Sequence, residues 1–245
     1  MIRNIKLTLE YDGTNYCGWQ MQPNAPSVQE ALEGAIAKIT GEKITVIGSG
    51  RTDSKVHALG QVANFHTKSK IPEEKFILAL NSMLPSDIAV NKSIEVSQDF
   101  HSRYDAKEKE YKYLIYNSKV RSPIKRNSSY FVNYELDIEA MALALKYFIG
   151  THDFVGFMST GSSIKGTIRT ITEASLIEKD DTIEISIRGT GFLYNMVRII
   201  VGTLVDIGIG KIDKDSIEEI INSKSRNKAG HTAPPQGLYL SKVFY

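Results

Sequence analysis

Cysteine is almost missing from this chain. Of 245 residues only Cys17 carries a thiol, so no internal disulfide can form and nothing argues for an oxidising compartment. Long apolar runs are missing as well. A membrane-spanning helix needs about 20 consecutive apolar residues, and the longest stretch, Met196 to Ile209, is broken by Arg198, Thr203 and Asp206. The opening MIRNIKLTLE alternates from the start and has no signal-peptide core. The expectation is a cytoplasmic protein that does not enter a membrane. Net charge is small: 30 Lys and Arg against 28 Asp and Glu leave +2. Metal-ligand spacing is absent around His57, His66, His101, His152 and His231, so no metal is expected. A lone Cys17 reads as a loop or core residue rather than a nucleophile. What remains is ordinary for a globular protein, with 42% apolar and 24% charged residues. The length suits one large domain or two small ones.

The charge is unevenly spread. Eight basic residues and three acidic ones lie between His101 and Ser128. Asn222 to Tyr245 holds Lys224, Arg226, Lys228 and Lys242 and no acid. Such stretches are either solvated faces or contacts for a phosphate backbone.

Periodicity orders the elements. Ile5, Leu7, Leu9 and Tyr11 alternate with polar residues and predict a half-buried strand. Asp12 to Ala25 reads as a loop. Ser27 and Glu30 form a capping box before a helix burying Val28, Leu32, Ala35, Ile36 and Ile39. Short strands follow at 44–47 and 61–67, then a helix opened by Pro72, then a strand over 88–96. The second half repeats the outline. It has a strand through Tyr111, Tyr113 and Ile115, and a helix capped by Asp137 and stopped by Gly150. A hairpin turns at Lys179-Asp180-Asp181, an apolar helix runs from Tyr194 to Ile207, and a last strand spans Leu238 to Phe244. The seam falls near Arg103 to Lys107, giving halves 1–104 and 105–245. The predicted class is α+β, with helices covering one face of mostly antiparallel sheet.

Three places can carry chemistry. Gly48-Ser-Gly-Arg-Thr-Asp53-Ser-Lys-Val-His57 follows a short strand and sets a carboxylate beside an arginine, hydroxyls and a histidine. Asp53 is either a functional carboxylate held by the sheet or the cap of the following turn. A phosphate loop is a third reading, although neither the Walker pattern nor the dinucleotide fingerprint is present. Arg198 lies in a helix apolar on most sides, where a charge is costly unless paired. It requires a carboxylate or phosphate, and Asp53 is the candidate partner. Tyr111 stands in Lys109-Glu-Tyr-Lys-Tyr113, where rings alternate with cations as on a base-stacking surface. Tyr113, on the same face, reads as core packing, and His152-Asp153 as a turn anchored by Phe154 and Phe157.

Gly50-Arg-Thr-Asp53 with Val56-His-Ala58 resembles the signature of the tRNA pseudouridine synthase A family. So do Tyr11-Asp-Gly13, Gly18-Trp-Gln20, Ser27-Val-Gln-Glu30, Lys109-Glu-Tyr-Lys-Tyr113, His152-Asp-Phe154, Phe192, Met196-Val-Arg198, Val201-Gly202, Ala233-Pro-Pro235 and Gly237-Leu-Tyr-Leu240. The resemblance implies two ferredoxin/RRM-like halves joined in one continuous sheet, with an active cleft between them. It implies isomerisation of uridine to pseudouridine at positions 38 to 40 of the tRNA anticodon arm, by a homodimer using no cofactor and no metal. It makes Asp53 the catalytic nucleophile, Tyr111 the ring stacked on the target uracil, Arg198 the partner of the aspartate, and Arg51 an RNA contact that holds the base out of its stack. One departure stands out. Family members usually have Ala-Gly after this motif, and this chain has Ser54-Lys55. That leaves two alternatives, a paralogue acting on another RNA and a noncatalytic RNA-binding protein.

Overall fold

The computed structural model describes residues 1–161 and 166–245. In chain order the elements are β1 (Arg3–Tyr11), α1 (Val28–Thr40), β2 (Ile47–Gly48), β3 (His57–Thr67), α2 (Lys75–Asn81), β4 (Ile88–Val96), β5 (Glu108–Asn117) and β6 (Tyr130–Val132). Then come α3 (Ile138–Lys146), β7 (Gly150–Asp153), β8 (Ile168–Lys179), β9 (Thr182–Gly189), α4 (Met196–Gly208), α5 (Ile217–Ser223) and β10 (Leu238–Phe244). The class is α+β, with mostly antiparallel strand pairing and five α-helices among the described residues.

The chain packs as two compact units. One comprises Met1–Lys107 with Tyr239–Tyr245, the other Glu108–Leu238. The last strand is therefore shared differently from the sequence reading, which left it with the C-terminal half. Tyr239 and Leu240 pair in parallel with His57 and Ala58 of β3, and the Tyr239 ring stacks on His57 with centroids 4.7 Å apart. Pairing between strands this distant in sequence leaves no local signal.

In the first unit the strand order is β4-β1-β3-β10, with β2 also on β3. Ile5, Leu7, Leu9 and Tyr11 are buried on one face of β1. Ile5 is opposite Phe65, whose ring meets Phe76 of α2 edge-on at 5.7 Å. Leu32 and Ile36 of α1 and Leu80 of α2 complete this core. Burying each such side chain contributes about 1.5–3 kcal/mol. Lys6 and Thr8 point the other way and stay partly exposed, as period-two geometry requires. Ser27 caps α1 by accepting the Glu30 N–H, and Gly41 ends it in a left-handed conformation.

In the second unit the order is β5-β9-β8-β7, with β6 in parallel on β5. Tyr113 and Ile115 of β5 lie opposite Ile185 and Ile183 of β9, all four buried. Asp137 caps α3 through the Ala140 N–H. That helix stops at Lys146, one turn before Gly150, whose φ of +116° opens β7 instead. The β8–β9 hairpin turns through Asp180, at φ +52°, and Asp181. Helix α4 is buried at every residue except Arg198.

Candidate active site

Asp53 lies in the loop between β2 and β3 of the first unit. Its position follows from what grips the loop. Ser49 donates from its backbone to Val62 (2.7 Å) and from its hydroxyl to Gln61 (2.7 Å), while the Gln61 amide reaches the Gly50 carbonyl at 2.9 Å. The Thr52 hydroxyl, buried, meets the Tyr11 hydroxyl at 2.8 Å. The Trp19 N–H donates to the Thr52 carbonyl at 3.1 Å. The Asp53 carbonyl closes a turn by accepting the Val56 N–H at 3.1 Å.

These contacts account for the glycines upstream. At Gly18, where φ is +101°, a β-carbon would stand 2.4 Å from the Thr52 carbonyl oxygen. At Gly13 it would stand 2.1 Å from the Val56 carbonyl oxygen. Only glycine lets these strands of chain approach so closely. Sequence reading treated 12–25 as a connecting loop. The structure makes it the clamp on the Asp53 loop, and the clustered glycines beside Trp19 were the available signal.

Asp53 is half-buried and Arg51 is exposed. The Gly13 N–H donates to His57 Nδ1 at 3.0 Å, and Asp12 Oδ1 lies 3.1 Å from the same nitrogen. Burial raises the Asp12 pKa, but the hydroxyl and N–H of Thr14 and the nearby His57 outweigh it and leave the group below its ordinary value.

Tyr111 and Arg198 belong to the second unit. Tyr111 is buried, 9% exposed, and opposes Ile187 across the ladder. The ring of Phe192 meets it edge-on at 5.0 Å. Tyr113, on the same face, is fully buried and donates to the Pro234 carbonyl at 2.7 Å. Burial drives its pKa well above the ordinary phenol value. Its packing role, read from the sequence, matches this placement.

Arg198 occupies the first turn of α4. Its Nε donates to the Ala233 carbonyl at 2.7 Å and its Nη1 to Asn195 Oδ1 at 2.7 Å. The Ala233 N–H returns a bond to the Arg198 carbonyl at 3.0 Å. Two neutral acceptors thus help to hold the side chain. The segment supplying Ala233 is itself clamped to α4: Thr203 accepts the Gly230 N–H at 2.9 Å, and Asp206 accepts the His231 N–H at 3.0 Å. Sequence reading missed Asn195, Thr203 and Asp206 as supports for this arginine. Asp153 accepts from the Val155 N–H and the Thr167 hydroxyl and pairs with Lys224 at 3.0 Å, so it fixes a turn beside the buried Phe154 and Phe157. Among the described residues no group of three or more His, Cys, Asp or Glu is placed to hold a metal ion.

The first unit thus presents an aspartate on a glycine-gripped loop, and the second carries a tyrosine on a strand and an arginine held by its neighbours. The chain belongs to the tRNA pseudouridine synthase family, whose model matches residues 8–105 and 144–245. It is 57% identical over 244 residues to tRNA pseudouridine synthase A of Acetivibrio thermocellus, covering all of both chains. It is 56% identical over 244 residues, again covering all of both, to tRNA pseudouridine synthase A of Caldicellulosiruptor saccharolyticus. Among solved structures, a Cbf5–Nop10–Gar1 complex is a distant likeness, at 13% identity and a TM-score of 0.38. The match covers 96% of this chain and 57% of that one.

Proposed function

We propose that this protein isomerises uridine to pseudouridine in tRNA, at positions 38 to 40 of the anticodon arm, as a cytoplasmic homodimer. The observation that carries this reading is full-length identity of 57% to a tRNA pseudouridine synthase A. The gripped loop around Asp53 supports it.

The reaction needs no redox partner and consumes no water. The N1–C1′ bond breaks, the uracil turns in place, and a C5–C1′ bond forms. C5 gives up its proton and N1 gains one, so atoms and electrons balance. Asp53 acts as nucleophile toward the nucleotide. Arg198 is its counter-charge, keeping the carboxylate ionised. Tyr111 stacks on the uracil and holds it while it is detached. Arg51, exposed on the same loop as Asp53, contacts the RNA and holds the target base out of its stack. Flipping that base costs a few kcal/mol.

The test uses tRNA tritiated at uridine C5, because the label leaves with the C5 proton. Wild-type protein should release tritium. Asp53→Asn should slow release by a factor on the order of 10³ or more while still retaining tRNA. Normal turnover by that variant would remove Asp53 from the mechanism. Binding by wild-type protein without release would favour a noncatalytic RNA-binding role. Mapping pseudouridines in tRNA from cells lacking the gene tests the position: modification at 38 to 40 should vanish.

A further inference from the structure

The segment from Gly13 to Trp19 is laced to the Asp53 loop at three levels. The Thr52 carbonyl accepts the Trp19 N–H at 3.1 Å. The Tyr16 carbonyl accepts the Lys55 N–H at 3.2 Å and the Ser54 hydroxyl at 3.4 Å. At the third level the acceptor is a side chain: His57 Nδ1 takes the Gly13 N–H at 3.0 Å. That ring is 3% exposed, and Tyr239 of β10 pins it by stacking at 4.7 Å.

Gly13 depends on this acceptor. The β1–β3 ladder ends at Tyr11 and Ala58. Beyond it the Asp12 N–H goes to the Asp87 carbonyl at 2.9 Å and the Thr14 N–H to the Asp12 carboxylate at 2.9 Å. Gly13 is buried, and a buried N–H without a partner is costly. A backbone N–H only donates, so Nδ1 offers its lone pair and the ring proton belongs on Nε2. A proton on Nδ1 would face Asp12 Oδ1, 3.1 Å away, and deprive Gly13 of its acceptor. The position of Gly13 passes directly to the loop. A β-carbon there would stand 2.1 Å from the Val56 carbonyl oxygen, so the two backbones rest on each other. Val56 in turn closes the turn that opens at the Asp53 carbonyl.

We infer that His57 is a positioning residue for the Asp53 carboxylate: its Nδ1 ties Gly13 to the loop and so sets where the turn presents Asp53. It acts through the loop and not on the nucleotide. The inference rests on the pseudouridine-forming reading above and deepens it. Two parts of the side chain then do separate work. The stacked ring serves the packing between β3 and β10, and the nitrogen lone pair serves the chemistry.

Two substitutions separate them. His57→Phe keeps an aromatic ring against Tyr239 but has no acceptor. His57→Asn places an oxygen where Nδ1 was but has no ring. Tritium release is measured as kcat and KM per folded molecule, beside the thermal midpoint. His57→Phe should keep more of the midpoint yet lose kcat by a factor on the order of 10 to 100, with KM little changed, because the reacting carboxylate is displaced. His57→Asn should lose more of the midpoint yet recover most of kcat. Should His57→Phe not fold, His57→Gln, whose oxygen sits one carbon too far out, takes its place with the same expected loss of kcat. A second readout needs no activity: trypsin cleavage after Arg51 and Lys55, both exposed, should be several times faster in His57→Phe than in His57→Asn or wild type. If wild type forms pseudouridine and His57→Phe keeps its kcat, or if kcat follows the midpoint in both variants, His57 is structural only and the inference falls while the enzyme reading stands. If wild type releases no tritium but cleavage rises in His57→Phe alone, the enzyme reading falls and the hold of His57 on the loop stands. Silence in both readouts overturns both.

Discussion

At the scale of the residue, Lys55 connects a departure in the sequence to a physical cost. It stands where the family pattern has glycine, and its φ is +64°. An L-residue held in the left-handed region costs roughly 1–2 kcal/mol. Its N–H donates to the Tyr16 carbonyl at 3.2 Å, so the conformation is imposed by the grip on the Asp53 loop. Lys55→Gly should relieve the strain, with part of the gain offset by the extra freedom of glycine in the unfolded chain. The expected net effect is a stabilisation of about 0.5–1 kcal/mol, read as a shift in denaturant midpoint at constant m. A midpoint that stays put or falls would mean that the lysine side chain makes a compensating contact.

At the scale of the element, helix α4 shows how far local pattern carries and where it stops. Its apolar run made it legible as a buried helix, and the one charged residue in its first turns was legible as exceptional. Two of the groups that hold Arg198 were not. The sequence reading required a charged group, but Asn195 and the Ala233 carbonyl also hold the guanidinium, and a backbone acceptor 35 residues away leaves no compositional trace. The same division runs through the fold. Ser27, Asp137 and the turn at Asp180-Asp181 were legible because their chemistry is local. The three residues of β6 and the four of β7 were not, because segments that short show no period. Nor was the clamp of 12–25 on the Asp53 loop, apart from its glycines. The grip on α4 gives a sharp prediction. A β-carbon at Gly202 would stand 1.8 Å from the His231 carbonyl oxygen and 2.7 Å from its carbon. Gly202→Ala must therefore push the 229–233 segment off the helix and take the Ala233 carbonyl away from Arg198. Overpacking of this kind costs about 1–3 kcal/mol. Thermal unfolding should fall accordingly. Tritium release should fall further than the folded fraction explains, because the arginine loses its aim. Activity that tracks only the folded fraction would separate the clamp from the chemistry.

At the scale of the whole molecule, stability should be bounded on both sides by groups the fold perturbs. Asp12 in the first unit and Asp153 in the second both have pKa values below the ordinary carboxylate range. For Asp153 the leading cause is the hydroxyl of Thr167, followed by Lys224. A carboxyl lowered on folding contributes stability that is complete above its unfolded pKa, about 4. That contribution is lost as pH falls through the folded value. Tyr113 acts in the opposite direction. Burial raises its pKa, so its contribution is complete below the unfolded value of about 10 and is lost as pH rises beyond it. Thermal midpoints should therefore be nearly level between about pH 5 and 9 and decline on either side. The acid limb can be assigned by substitution. Asp153→Asn keeps an oxygen to accept from Val155 and Thr167 but cannot titrate, so it should start less stable at neutral pH, having lost its pairing with Lys224, and then lose less on going from pH 5 to pH 3. Tyr113→Phe should likewise flatten the alkaline limb while losing the bond to the Pro234 carbonyl. An acid limb of equal depth in wild type and Asp153→Asn would move that loss to other carboxylates. It would leave the turn before Phe154 held by packing of the aromatic cluster rather than by charge.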